Sequence, residues 1–311
     1  MASEIRFGVQ YNGISMASVM APIPFAQQAE RWGFDALFVP DLETSAAMDP
    51  MTLLAAVAQH TEHLLLATGV LVVSFRNPYQ LAKVAATVDT LANERLILGL
   101  GTGLIPKDFA VEQVDRRRRG KITSEALGIV RTLLAGDTVN HSGEYYEMVD
   151  TCLAPTPTRR IPIWLGGSWN NGFADAVINR VATLGDGFDP TDVPVEGYAE
   201  AITRIRSIAA SQGRDVEFDW ACNMWLNIGT GKDASLADAE EALRRRFGDD
   251  AWAVDPDACY ALGTAADIIE TIERYADIGV RTFVMNVLTS PERLLETLEA
   301  FSNEIIPHFR R

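Results

Sequence analysis

Apolar positions recur along this chain in two rhythms that take turns. Leu64–Val73 is apolar throughout except for Thr68 and Gly69, as in a strand buried on both faces. Leu81, Ala82, Ala85, Val88 and Leu91 instead follow at helical spacing and form a one-sided stripe. Thr61–Gly103 shows the unit whole: a strand, Asn77 as N-cap with Pro78 at the first helical position, the helix, and a second strand from Arg95 to Gly101. A strand, helix and strand joined so tightly form a parallel crossover, whose functional loops lie beyond the carboxyl ends of the strands.

The alternation runs the length of the chain. Ile5–Gln10 is a first strand, Pro24 opens a helix that Gly33 stops, Asp35–Val39 is strand two, and Asp49-Pro50 starts a helix running to about His60. Beyond the unit above, a loop at Leu104–Phe109 leads to a long helix, roughly Arg117–Leu134. Thr138–Met148 interrupts the pattern as a surface hairpin. Pro162–Leu165 is strand five, ending in Gly166-Gly167-Ser168, with a helix from about Gly172 to Thr183. Gly185–Phe188 is a very short strand six, Val195–Gln212 its helix, and Glu217–Ile228 strand seven. Ala234–Ala261 reads as largely helical. A helix at Ala265–Ile278, strand eight at Thr282–Val287 and a helix capped by Ser290-Pro291 complete the series. Eight strand–helix pairs, with a hairpin inserted between helix 4 and strand 5, predict an α/β fold of the (β/α)8 TIM-barrel type, one domain over residues 1–311. A doubly wound open sheet is the alternative.

Composition narrows the function. The chain has 311 residues, 48% of them apolar, and a net charge of −15, which argues against nucleic acid or an anionic membrane as main partner. No apolar run reaches the length of a membrane span. The N-terminus shows no secretory segment, so the cytoplasm is the expected location. Cys152, Cys222 and Cys259 are widely spaced and read as reduced packing residues. His60-Thr-Glu-His63 lacks the His-Glu-x-x-His spacing and falls at a helix end, so no metal site is expected.

In a barrel the chemistry gathers at the carboxyl ends of strands. Those positions are Gln10, Tyr11 and Asn12; Asp41; Thr68, Gly69 and Val70; Gly101, Thr102 and Gly103; Gly166, Gly167 and Ser168; Asp186 and Gly187; Trp225 and Asn227; and Asn286. The glycines either turn the chain or let backbone approach a flat ring or a phosphate. Gly166-Gly167-Ser168 reads as the lead-in to a helix N-terminus, a ready anion site. Asp41 has no evident helix-capping duty and is either a ligand contact or a structural carboxylate. Arg116–Arg119 is either a solvated helix start or an anchor for an anionic cofactor tail.

Seven segments, in order, resemble the luciferase-like monooxygenase superfamily, in particular its bacterial F420-dependent oxidoreductase branch. They are Ala29–Asp41, Leu66–Val70, Arg76-Asn-Pro78 with the helix after it, Arg95–Gly103, Pro162–Gly167, Gly185-Asp-Gly187 and Gly263–Asp267. The resemblance implies a TIM barrel, usually homodimeric, with a non-prolyl cis peptide behind the cofactor ring, here at Gly69–Val70. It also implies that Asp41 meets the ring edge, that the bulge Thr68-Gly69-Val70 backs the ring, and that Thr102, Gly103, Gly166, Gly167 and Ser168 follow the phosphate-bearing chain. Some F420-dependent dehydrogenases place a histidine after this aspartate and a glutamate after Gly-Thr-Gly; this chain has Leu42 and Leu104 there. The pocket so implied is apolar, lined by Tyr11, Asn12, Leu42, Trp225 and Trp252, with Tyr11 or a water managing the substrate proton. The expected activity is hydride transfer between coenzyme F420 and an electrophilic carbon. The alternatives are a monooxygenase using O2 and reduced FMN from a partner reductase, and a catalytically silent ligand-binding barrel.

Overall fold

The computed structural model describes residues 4–12, 19–45, 47–247 and 259–310. In chain order the described elements are β1 (Arg6–Gln10), α1 (Pro22–Arg31), β2 (Ala36–Val39), α2 (Pro50–Ala58), β3 (Leu65–Thr68), β4 (Leu71–Val72), α3 (Pro78–Leu91) and β5 (Leu96–Gly101). They continue with α4 (Pro106–Val111), α5 (Arg119–Leu134), β6 (Val139–Ser142), β7 (Glu147–Thr151), β8 (Ile163–Ser168), α6 (Asp175–Leu184), β9 (Gly187–Thr191), α7 (Val195–Ser211), β10 (Asp219–Ile228) and α8 (Lys232–Phe247). β11 (Ala261–Gly263), α9 (Ala265–Asp277), β12 (Thr282–Val287) and α10 (Leu294–Ala300) follow.

Parallel pairing runs β10–β12–β1–β2–β3–β5–β8–β9 and closes from β9 back to β10, an eight-stranded α/β barrel ringed by helices. The strand pleat sorts its side chains. Leu37, Val39, Leu66, Leu96 and Leu98 face outward and join the helices in the main core. Ala36, Phe38, Ala67, Ile97, Trp164, Ala221 and Val284 fill the lower interior. Phe38 and Trp164 lie 6.1 Å apart by ring centroid. Two glycines clear the space for these rings: a Cβ on Gly8 would come within 2.5 Å of Phe38, and one on Gly187 within 2.5 Å of Trp164. The lower interior of the barrel is therefore plugged by aromatics.

The expected hairpin is β6 paired antiparallel with β7. Glu125 of α5 holds it, accepting from the backbone N–H groups of Glu144, Tyr145 and Tyr146 and contacting His141 Nε2 at 3.0 Å. Several boundaries differ from the sequence expectations. The loop at 104–109 contains the start of α4, because Pro106 fits a first helical turn. Strand six begins at Gly187 and runs to Thr191. Asp186 therefore sits at its amino end, where it accepts from Arg131 and Ile163 N–H. α6 starts at Asp175, seven residues beyond Ser168, so Gly166-Gly167-Ser168 is strand rather than a helix N-terminus. The stretch expected to be helical ends at Ala261, where β11 begins beside β10. Among the described residues, no helix is long and apolar enough to cross a membrane.

Glu125→Ala is expected to speed hydrogen exchange at the 144–146 amides while leaving far-UV circular dichroism unchanged. Unaltered exchange there would show that the clamp does not hold the hairpin.

Candidate active site

Between β3 and β4 the chain bulges into the barrel mouth, and the Gly69–Val70 peptide is cis. The bulge turns the Val70 side chain against the inner faces of β5 and β8, which are bare at that point. A Cβ on Gly101 would lie 2.6 Å from Val70 Cγ2, one on Gly166 3.1 Å from Val70 Cγ1, and one on Gly99 1.9 Å from the Thr68 carbonyl oxygen. The glycines at these strand ends thus make room for the protein's own bulge. Gly167 faces the other way, towards Phe188 and Val177. Thr68, expected in the cofactor site, is 0% exposed and donates its hydroxyl to Gly99 O at 2.6 Å, tying β3 to β5.

Carboxamides line the other side of the mouth. Gln10 Nε2 donates to Gly69 O at 3.3 Å, and Gln10 Oε1 accepts from Asn223 at 3.2 Å and from Asn286. Asn12 Nδ2 donates to Asn286 Oδ1 at 3.4 Å. Gln10 and Asn12 stand two apart on β1 and its extension, so they share the inner face; Tyr11 between them must point out. It does so: Tyr11 is 2% exposed, its ring lies 5.2 Å from that of Phe25, and its hydroxyl donates to Met20 O at 3.0 Å. Burial also raises its pKa. The expectation that Tyr11 touches substrate or moves its proton is corrected accordingly.

Asp41 has protein partners for both oxygens. Arg76 donates to them at 2.5 and 3.0 Å, and Val72 N–H donates at 2.8 Å. The carboxylate thereby fixes the end of β2 to β4, just beyond the bulge. Burial, followed by the charge of Asp41, raises the pKa of neighbouring Glu43. Leu42 is half-buried beside this pair, whereas Leu104 is 64% exposed. Trp225 packs with Tyr260 and Leu262 in the upper wall, and its indole N–H donates to Asp192 at 2.9 Å. Trp252 lies outside the described residues. Thr102, Gly103 and Gly166 are half-buried at the rim, and Ser168 is exposed. Behind them a cavity of about 10 Å³ is lined by Thr102, Gly166, Thr123 and Arg180. Thr123 Oγ1 is buried without a partner. Arg180 donates to Ser124 Oγ and Gly120 O, pairs with no carboxylate among the described residues, and has its pKa lowered by burial.

Two inward groups escaped the sequence reading, Asn223 and Asp189. Asp189 pairs in register with Gly166, on the face where Trp164 and Gly187 also meet. It is 5% exposed, and its Oδ1 is buried with no hydrogen-bond partner. Burial pushes its carboxyl up to about 7. The sequence signal was Asp189-Pro190, just past the expected end of strand six. Among the described residues no cluster of His, Cys, Asp and Glu could hold a metal.

Two outcomes follow from these carboxylates. Arg76→Met leaves Asp41 buried without its cation and is expected to cost about 3–5 kcal/mol in urea unfolding. For Asp189 the folded pKa lies above the ordinary 3.8, so its contribution to stability is full below about pH 4 and lost as pH rises through about 7. Asp189→Asn should therefore gain on wild type between pH 4 and pH 8, by a few kcal/mol. Parallel stability–pH curves would show the carboxyl to be ordinary.

A family model described as luciferase-like monooxygenase matches residues 11–282. The F420-dependent glucose-6-phosphate dehydrogenase of Amycolatopsis mediterranei (strain U-32) is 27% identical, over 93% of this chain and 94% of its own. The oxygenase component of the flavin-dependent trigonelline monooxygenase of Acinetobacter baylyi (strain ATCC 33305 / BD413 / ADP1) is 25% identical, over 92% and 89%. The solved structure of monooxygenase RslO1 from Streptomyces bottropensis is similar with a TM-score of 0.83 at 20% identity, over 98% of this chain and all of that one, a likeness of fold alone. With the matched span covering most of the barrel, the chain belongs to the luciferase-like monooxygenase family.

Proposed function

We propose that the mouth binds coenzyme F420 and that the protein passes a hydride between it and an electrophilic carbon of a small, hydrophobic organic substrate. The observation that carries this reading is the half-exposed Val70 platform, set against glycine-bare strands and faced by neutral carboxamides. The residues present fit such a group. Val70 offers a flat apolar support, Gln10, Asn12, Asn223 and Asn286 offer donors and acceptors for a heterocycle edge, and the orphan Thr123 hydroxyl with Arg180 offers a positive rear wall near the rim. The full-length similarity to an F420-dependent dehydrogenase favours the deazaflavin.

When bound, F420 supplies a two-electron hydride donor or acceptor. This chain's residues orient and shield. Val70 and the Asp41–Arg76 pair fix one side of the mouth, and the carboxamides fix the other. Leu42 stands where some F420-dependent dehydrogenases have a histidine, so a His/Glu pair does not serve the substrate here. Positioning in a water-poor mouth is the protein's main contribution. The working unit is proposed to be a cytoplasmic homodimer, supported by exposed Val84 and Leu91 on α3 beside a groove lined by Met51, Arg76 and Leu81. A separate reductase would supply reduced cofactor.

The flavin-dependent relative supports a second reading, a monooxygenase using O2 and reduced FMN. Titrating the purified protein with F420 and FMN, followed by fluorescence and absorbance, separates them. F420 is expected to bind the more tightly, and turnover to proceed without oxygen. Gly101→Val should lower F420 affinity at least tenfold by displacing Val70. Preference for FMN with strictly oxygen-dependent turnover would replace the first reading by the second.

A further inference from the structure

We infer that Asp189 is the acid of this site, giving a proton to the substrate heteroatom as a hydride reaches the adjacent carbon. The inference rests on reading the mouth as a hydride-transfer site. Asp189 faces the barrel interior because it pairs with Gly166, whose inner face abuts Val70. Its backbone is thus one strand spacing, about 4.8 Å, from that of Gly166 beside the platform. The register Trp220↔Phe188 and Asn223↔Thr191 places Ala221 on its other side. Both cross-strand neighbours, Gly166 and Ala221, are small.

No described residue donates to this carboxyl, and its Oδ1 is an orphan. A buried carboxylate without donors is costly, and the group avoids that cost by holding its proton. It then carries an O–H with no acceptor among the described residues. The charged or titratable groups around it are accounted for. Asp192, just past the end of its strand, accepts from Trp225, and Asp219 on β10 pairs with Arg6 at 2.7 Å. Cys222 and Tyr198 belong to the outer layer and stay protonated, their pKa values raised by burial. β8 presents Trp164, Gly166 and Ser168, none charged. Of the other acids near the mouth, Asp41 is held by Arg76 and Tyr11 points outward.

The step balances with reduced deazaflavin as the reductant. Its hydride forms the new C–H bond at a carbonyl, imine or enone carbon, and the π pair moves to the heteroatom, or to the α-carbon of an enone. The Asp189 O–H breaks, its electrons stay on the carboxylate, and the proton bonds to the atom that received the π pair. Water reprotonates the carboxylate after product leaves, and the oxidative direction reverses each transfer.

The test uses the whole chain. In ligand-free protein, infrared difference spectra between pH 5 and pH 9 should show a protonated-carboxyl C=O band that Asp189→Asn removes, with a midpoint near the value of about 7 that burial sets. In single turnover with reduced F420 and cyclohexenone, Asp189→Asn should bind F420 within threefold of wild type yet transfer hydride on the order of 10²–10⁴-fold more slowly. The wild-type fall in rate above neutral pH should vanish with it. A band that survives the substitution, or an unchanged rate and pH profile, would overturn the assignment. Failure of wild type to bind F420, with the infrared band present, would instead bring down the reading of the mouth and the donor role with it.

Discussion

The packing of Val70 against side-chain-free stretches of two neighbouring strands is the contact on which the mouth depends. A bulge entering a barrel must displace something, and here the displaced volume is that of three missing side chains, at Gly99, Gly101 and Gly166. Interiors at crystalline density do not absorb an extra isopropyl group. The glycines of β5 and β8 therefore belong to the same structural decision as the bulge of β3. Aromatic filling by Phe38 and Trp164 closes the space beneath the mouth.

Charge is handled in two ways. Around the barrel, three buried carboxylates are met by arginine: Asp41 by Arg76, Asp89 by Arg159 and Asp186 by Arg131. Each of these also receives a backbone N–H, from Val72, Leu96 and Ile163 respectively. Full satisfaction of this kind fixes loops and strand ends, because removing either partner strands a charge. Inside the mouth the pattern changes. Its polar lining is made of uncharged carboxamides, and Asp189 pairs with no cation among the described residues. A neutral lining with one acid left without a donor is suited to a reaction whose charge separation is brief.

Much of this was legible in the chain. The alternation of buried runs and one-sided stripes determined the barrel, since eight strands with short crossovers leave few other closures. The hairpin after α5 and the segment order that marks the family are local features, readable from residues close in sequence. What the chain could not show was direction. Tyr11 and Asn12 are adjacent letters with opposite faces, and only the strand pleat, fixed by pairing with β2 and β12, decides which one meets the mouth.

Partnership was equally a matter of tertiary structure. Asp41 and Arg76 lie 35 residues apart, and Gln10 and Asn286 are 276 apart; no local spacing foretells either pair. Strand six begins two residues later than expected, which puts Asp186 at its amino end, and it takes in Asp189, whose register with Gly166 turns it inward. Sequence periodicity thus determined the elements and the fold, because burial on one face leaves a local trace. Register and closure decided the site, because they depend on which strands lie side by side.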